Sequence, residues 1–205
     1  MQLNDTYEAY LMNNGADFVH FVDITSLPEE TRDEFTCAVF FGKALSKEYL
    51  RAVKAGQKPE RQEFGESEHW MDALVETLGD KLASEGYKSA PKVPFARLPH
   101  KTVARLAGFG FIGKNTLMVS EEYGCAIVLG KVLTTAPFAA ISAQPKEPQC
   151  GACSVCVDIC PTKALSGMTW SVTAHRDELL DENLCTTCLK CMIYCSYTER
   201  YMETR

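Results

Sequence analysis

Apolar and polar positions follow two distinct rhythms along this chain. The runs Asp17-Phe-Val-His-Phe-Val-Asp-Ile24 and Phe35-Thr-Cys-Ala-Val-Phe-Phe41 are dense in β-branched and aromatic residues and predict strands. Over 67–85 the period changes. Trp70, Leu74, Leu78 and Leu82 recur every four positions while Asp72, Glu76, Asp80 and Lys81 lie off that row, which predicts a long amphipathic helix ended by Gly86. Shorter helices are expected over 5–14 with Asp5 as N-cap, over 44–55 closed by Gly56 with Pro59 beyond, and over 99–107 stopped by Gly108. Residues 116–120 and 125–129 read as a hairpin around Glu121-Glu-Tyr-Gly124, with 131–135 as a further strand. The stretch 136–149, rich in Ala, Pro and Gln, reads as a linker. This order predicts an α+β sheet domain over 1–143 and a smaller domain over 144–205.

The smaller domain is dominated by cysteine. Eight of the ten cysteines form the runs Cys150-x2-Cys153-x2-Cys156-x3-Cys160-Pro161 and Cys185-x2-Cys188-x2-Cys191-x3-Cys195. This is the spacing of bacterial two-cluster ferredoxins, in which the fourth cysteine of each run ligates the cluster of the other. Two [4Fe–4S] clusters are expected, one on Cys150, Cys153, Cys156 and Cys195, the other on Cys185, Cys188, Cys191 and Cys160. Three thiolates of a C-x2-C-x2-C loop wrap one cube and the distant fourth closes it, while Pro161 fixes its own φ and disfavours helix before it. A zinc ribbon also takes four thiolates but needs only two C-x2-C pairs. A disulfide framework is the other alternative, and it fits poorly with the first residues, which have neither the basic nor the apolar segment of a secretory leader.

Composition narrows the partners. With 21 Lys and Arg against 27 Asp and Glu, the formal net charge is −6, the opposite of a nucleic-acid footprint. No apolar run reaches bilayer length, and thiolate clusters need a reducing compartment, so a cytoplasmic protein without membrane contact is expected. Lys43, Lys47, Arg51, Lys54, Lys58 and Arg61 recur at spacings of three and four. A solvated helix face is the ordinary reading of such a stripe, and docking of an acidic carrier or an RNA backbone the sharper one. Cys37 and Cys125 read as buried small apolar residues.

Gly108-Phe-Gly110-Phe-Ile-Gly113-Lys114-Asn115 matches G-x-G-x-x-G, but a helix precedes it and strands follow, the reverse of the dinucleotide fingerprint. A plain glycine-rich helix-to-strand connection explains the spacing as well as a ligand loop does. As a ligand loop, the glycines offer bare backbone to a flat molecule, and Lys114 and Asn115 add a charge and an amide.

The stretch from His100 to Asn115, then Tyr123-Gly124, Leu129-Gly-Lys-Val-Leu-Thr134 and two cluster motifs, resembles the epoxyqueuosine reductases and the related corrinoid-dependent reductive dehalogenases. The resemblance covers roughly 94–195. It implies a nitroreductase-like α+β domain followed by a two-[4Fe–4S] ferredoxin-like domain. It further implies a cobalamin, with flavin (FMN) second, held by Gly108, Gly110, Gly113, Lys114 and Asn115. On this reading the chain is an iron–sulfur oxidoreductase that takes electrons from a ferredoxin or flavodoxin and acts on a small molecule or a corrinoid. The alternative is a non-enzymatic electron carrier or corrinoid-reducing partner. Two departures point away from tRNA as substrate: Pro94 stands where those reductases carry a proton-donating aspartate, and no helical-repeat extension follows the second run. His100 and Tyr123 are the remaining candidates for a catalytic acid, and His100 is also a candidate acceptor for a cofactor amide.

Overall fold

A computed structural model describes residues 2–58, 62–94 and 97–204. In chain order the elements are helix α1 (Leu3–Asn13), strand β1 (Phe18–Asp23), α2 (Glu29–Arg32), β2 (Cys37–Ala44), α3 (Lys47–Lys54), α4 (Glu63–Ser84) and β3 (Ser89–Ala90). There follow α5 (His100–Leu106), β4 (Gly110–Ile112), β5 (Met118–Ser120), β6 (Ile127–Thr134), α6 (Val155–Asp158), α7 (Arg176–Leu179), α8 (Lys190–Ile193) and α9 (Ser196–Glu203). The fold class is α+β, as expected. Among the described residues no helix is long and apolar enough to cross a membrane.

Helix starts are set by local hydrogen bonding. Asp5 is not the N-cap of α1. It sits at the third helical position, and its carboxylate accepts from the N–H of the cap, Gln2, at 3.2 Å. Helix α3 begins later than expected because β2 continues through Ala44 and the Ser46 hydroxyl accepts from the Tyr49 N–H. Helix α4 starts at Glu63 and buries Leu74, Leu78 and Leu82, the predicted row. Its Trp70 donates to the Asn14 carbonyl at 3.1 Å.

The main sheet has the order β1-β2-β6-β3, with β1 and β2 antiparallel from Phe18↔Gly42 to Asp23↔Cys37. The expected hairpin is not formed. Strand β5 pairs with β4, Ile112 opposite Met118, while 127–134 runs as one strand into the main sheet. Strand β6 lies between two neighbours and is buried at all but one position, which is what its near-continuous apolar run suits. All that remains of the hairpin is an isolated bridge between Ser120 and Gly124.

The chain divides into two compact units. The sheet unit comprises 1–44, 62–109 and 128–145, and the cysteine unit 45–61, 110–127 and 146–205. The division therefore does not follow the single cut expected at 143/144, because helix α3 and the β4–β5 ribbon pack with the cysteine loops. In the sheet unit, residues 136–145 hold neither helix nor strand yet are anchored. Phe138 is buried with its ring 4.5 Å from Phe21 and 5.1 Å from Tyr7. The basic stripe is only in part a solvated face: Arg51 and Lys58 are exposed, yet three of its cations have partners on another helix. Lys47 donates to the Thr204 carbonyl at 2.9 Å, Arg51 to the Met202 carbonyl, and Lys54 pairs with Glu199, so α3 grips α9 inside the cysteine unit. Lys43 belongs to β2 and bonds the Gly15 carbonyl, while Pro59 and Arg61 lie outside the described residues.

Candidate functional site

Within the cysteine unit the two runs fold as matching loops, each ending in a single helical turn, α6 carrying Cys156 and α8 carrying Cys191. The second loop holds Thr187 and Leu189 at φ near +51° and +60°, conformations that side chains other than glycine's adopt only under constraint. Cys150, Cys153, Cys156 and Cys195 line one small cavity together with Phe111, Gly113, Lys114, Asn115 and Tyr197. Three of these cysteines come from the first run and one from the second.

The electrostatics divide the thiols the same way. Cys156 is pushed up to about 11, first by burial and then by Cys150, Cys195 and Cys153. Cys191 is pushed up to about 12, again first by burial and then by Cys156, Cys188, Cys185 and Cys160. Each central cysteine is thus surrounded by the set that crossed ligation assigns to it, and Cys156 also neighbours Cys191. Cys156 shares a small apolar core with Ala164, Leu165 and Leu180, against which Cys160 and Cys191 pack. Among the described residues no three Cys, His, Asp or Glu side chains converge closely enough to hold a single metal ion. Burial pushes Cys160 up, but the Thr162 hydroxyl and the N–H groups of Ala164, Thr162 and Leu165 outweigh it and hold the thiol below its ordinary value.

The glycine segment turns toward these loops. Lys114 donates its N–H to Cys150 Sγ at 3.5 Å, and its ammonium donates to the carbonyls of Gly151 at 2.8 Å and Cys153 at 3.1 Å. The Asn115 amide donates to the Cys191 carbonyl at 3.1 Å and to Cys125 Sγ at 3.3 Å. A Cβ on Gly110 would strike the Val119 carbonyl, and one on Gly113 would meet Asn115 Oδ1 at 2.7 Å. In the sheet unit, a Cβ on Gly108 would meet Ala143 Cβ at 2.7 Å. Lys114 and Asn115 are thus engaged by the cysteine loops, and atoms pack closely on the Cβ side of Gly108, Gly110 and Gly113.

Cys125 is more than core filling. Its buried thiol contacts Thr198 Oγ1 at 3.3 Å, donates to the Met192 carbonyl at 3.5 Å, and lies beside Cys195, whose pKa its presence lowers. Cys125 itself is pushed up by its Cys195 neighbour and by burial. Nothing in the sequence distinguished it from an ordinary buried cysteine, because its partner lies seventy positions on. Gly124, at φ +59°, is required beside it: a Cβ there would collide with the Thr198 backbone at the start of α9. The two acid candidates fall in different units. Tyr123 packs edge-on to Tyr201 in the cysteine unit, and His100 lines a cavity of the sheet unit, its pKa lowered to about 4 by burial and then by Lys131 and Lys101. At neutral pH His100 is therefore an uncharged imidazole.

Comparison with known proteins bears on this arrangement. No family model matches the chain. The epoxyqueuosine reductase of Lactococcus garvieae is 37% identical over 129 residues, 56% of this chain and 36% of that protein. That of Bacillus anthracis is 42% identical over 95 residues, 46% of this chain and 24% of that protein. The chain is similar to the epoxyqueuosine reductases. The matched stretch spans only about a quarter to a third of these curated relatives. Solved epoxyqueuosine reductases share the fold. The Bacillus subtilis structure aligns over 96% of this chain and 65% of its own at TM-score 0.60 and 18% identity. A structure described with an epoxyqueuosine-modified tRNA-Tyr stem loop aligns over 99% of this chain and 69% of its own at 0.58 and 17% identity. A catabolic reductive dehalogenase in complex with 3-bromo-4-hydroxybenzoic acid aligns over 74% of this chain and 24% of its own at 0.55 and 15% identity.

Proposed function

We propose that this chain is an iron–sulfur reductase whose cysteine unit holds two [4Fe–4S] clusters by crossed ligation. The observation that carries the reading is the cavity shared by Cys150, Cys153, Cys156 and Cys195, which joins the two runs at one site. When bound, the clusters supply one-electron transfer at potentials tuned by hydrogen bonds to their sulfurs. The chain's own residues position the loops: Lys114 and Asn115 fix the loop carbonyls, and the Lys114 N–H is directed at the Cys150 sulfur. Two complete C-x2-C-x2-C-x3-C runs suit two four-iron cubes better than a zinc ribbon, which needs only two C-x2-C pairs.

Likeness to the reductases supports an enzyme that delivers electrons, received from a ferredoxin- or flavodoxin-like donor, to a cofactor of the sheet unit. That cofactor is a corrinoid by resemblance, with a flavin second. The engagement of Lys114 and Asn115 with the cysteine loops favours other residues of the unit as its cradle. The same commitment of Lys114 and Asn115 favours the second reading, an electron carrier with no cofactor beyond the clusters. Net charge −6 and the engagement of α3 with α9 support a substrate other than tRNA.

Anaerobic purification with iron and acid-labile sulfide analysis tests the first statement: about eight irons per chain are expected, as two four-iron clusters demand. Cys195→Ser and Cys150→Ser should lose the same cluster, and Cys160→Ser and Cys185→Ser the other. If Cys195→Ser instead matches Cys185→Ser, ligation is uncrossed. Titration with hydroxocobalamin or FMN separates enzyme from carrier. A saturable spectral change unaltered by Lys114→Ala is expected for the former, and no change for the latter.

A further inference from the structure

The sheet unit encloses a second feature that the clusters do not use. Between α4, the segment 91–94, the start of α5 and strand β6 lies a cavity of about 410 Å3, within the range of small-molecule sites, about 300–1,000 Å3. Met71, Val75, Pro91, Val93 and Leu129 give it apolar walls, and Lys131 and His100 line the same space. Lys131 is only 2% exposed, and its ammonium has no hydrogen bond or ion pair among the described residues. Buried His100 Nδ1 likewise has no partner.

The neighbouring charges do not compensate Lys131. Arg97 bears on it with like sign, and Arg97 itself is paired with Asp33 at 2.8 Å. Lys101 adds positive charge next to His100. Asp72, the one carboxylate on the lining, is exposed, and Lys92 is paired with Glu76. A buried cation without an anion is strongly unfavourable, and a buried imidazole nitrogen without a partner adds to the deficit. A single oxyanion would supply what both groups lack.

We propose that this cavity binds a small organic anion, its carboxylate or phosphate received by Lys131 Nζ and the His100 ring, its apolar body packed against Met71, Val75 and Leu129. The site lies wholly in the sheet unit and stands whether or not the cluster reading holds. An inorganic ion alone would leave the apolar walls without a partner, so a body beyond the charged head is part of the assignment.

The test is titration of the whole purified chain with benzoate, phenyl phosphate and the uncharged isostere benzamide, followed by calorimetry and by the imidazole nitrogen resonances of His100. Saturable one-to-one binding of at least one oxyanion, shifting the His100 resonances, is expected, with benzamide at least tenfold weaker. Lys131→Met should weaken the oxyanion at least tenfold with an unchanged circular dichroism spectrum, whereas Lys88→Met, outside the cavity, should leave it alone. Equal affinity for benzoate and benzamide overturns the proposal. So do unaltered affinity in folded Lys131→Met and, in the wild-type chain, the lack of any saturable His100 shift with either oxyanion.

Discussion

Lys131 and His100 pull stability in the same direction as pH changes. Burial, and then Arg97, lowers Lys131 to about 8 from 10.5. Between those values the unfolded chain holds more protons than the folded one, so stability rises as pH climbs from about 8 to 10.5, and the full penalty acts below 8. Lys131→Met should therefore stabilise the ligand-free chain at pH 7 by on the order of 3 kcal/mol and gain little at pH 10.5, measured by urea unfolding. His100, lowered to about 4, makes stability fall as pH drops from 6.5 toward 4. His100→Gln should flatten that acid limb. Cys125 acts on another quantity, the potential of one cluster. On the proposed ligation its thiol, which lowers the pKa of the neighbouring Cys195, favours the reduced, more negative cluster, so Cys125→Ala should lower that potential by about 40 mV, taking ~1 kcal/mol for the interaction and one electron. A redox titration followed by electron paramagnetic resonance should show one cluster shifted and the other unmoved.

At the scale of elements, what was legible depended on whether a signal was local. Helix α4 was readable because Leu74, Leu78 and Leu82 sit on one face and are buried there. Leu78→Ala should cost about 2–5 kcal/mol in thermal or urea unfolding. The hairpin was misread because two β-branched runs flanking a turn are a local cue, whereas pairing was decided by Gly110-Phe111-Ile112, a strand hidden in glycines. The stripe on α3 misled for a related reason. Cations spaced by three and four look alike whether they face water or hold the last carbonyls of another helix, as Lys47 and Arg51 hold those of Thr204 and Met202. Arg51→Ala should raise amide exchange in α9 several-fold, about 1 kcal/mol of local opening, while leaving α4 unaffected.

Across the whole molecule, the cysteine spacing was the most readable feature, since thiol count and interval are chemistry written directly in the chain. The extent of the unit was not readable, because α3 and the β4–β5 ribbon join it from positions far upstream. The apolar cluster directly under the cysteine loops, around Cys156, Ala164, Leu165 and Leu180, is small, which makes the loops dependent on what the thiols bind, whereas Phe111, Val119, Met192, Ile193 and Met202 give the rest of the unit a core of its own. Removing iron with a chelator should therefore reduce amide protection most over 150–165 and preserve it in the α4 helix and β1–β2 of the sheet unit, as hydrogen exchange would report.

The cavity that draws Cys195 in beside Cys150, Cys153 and Cys156 also sets an order of events in synthesis. Along the growing polypeptide the fourth thiol follows the third roughly forty residues later, a delay of about 2–8 s at common elongation rates. On the proposed crossed ligation, a cluster that arrives in that interval would have an open corner that solvent, oxygen or a delivery protein can reach. The first run is thus the earliest to be displayed and among the last to be sealed, and its window of vulnerability lengthens whenever translation slows between residues 156 and 195.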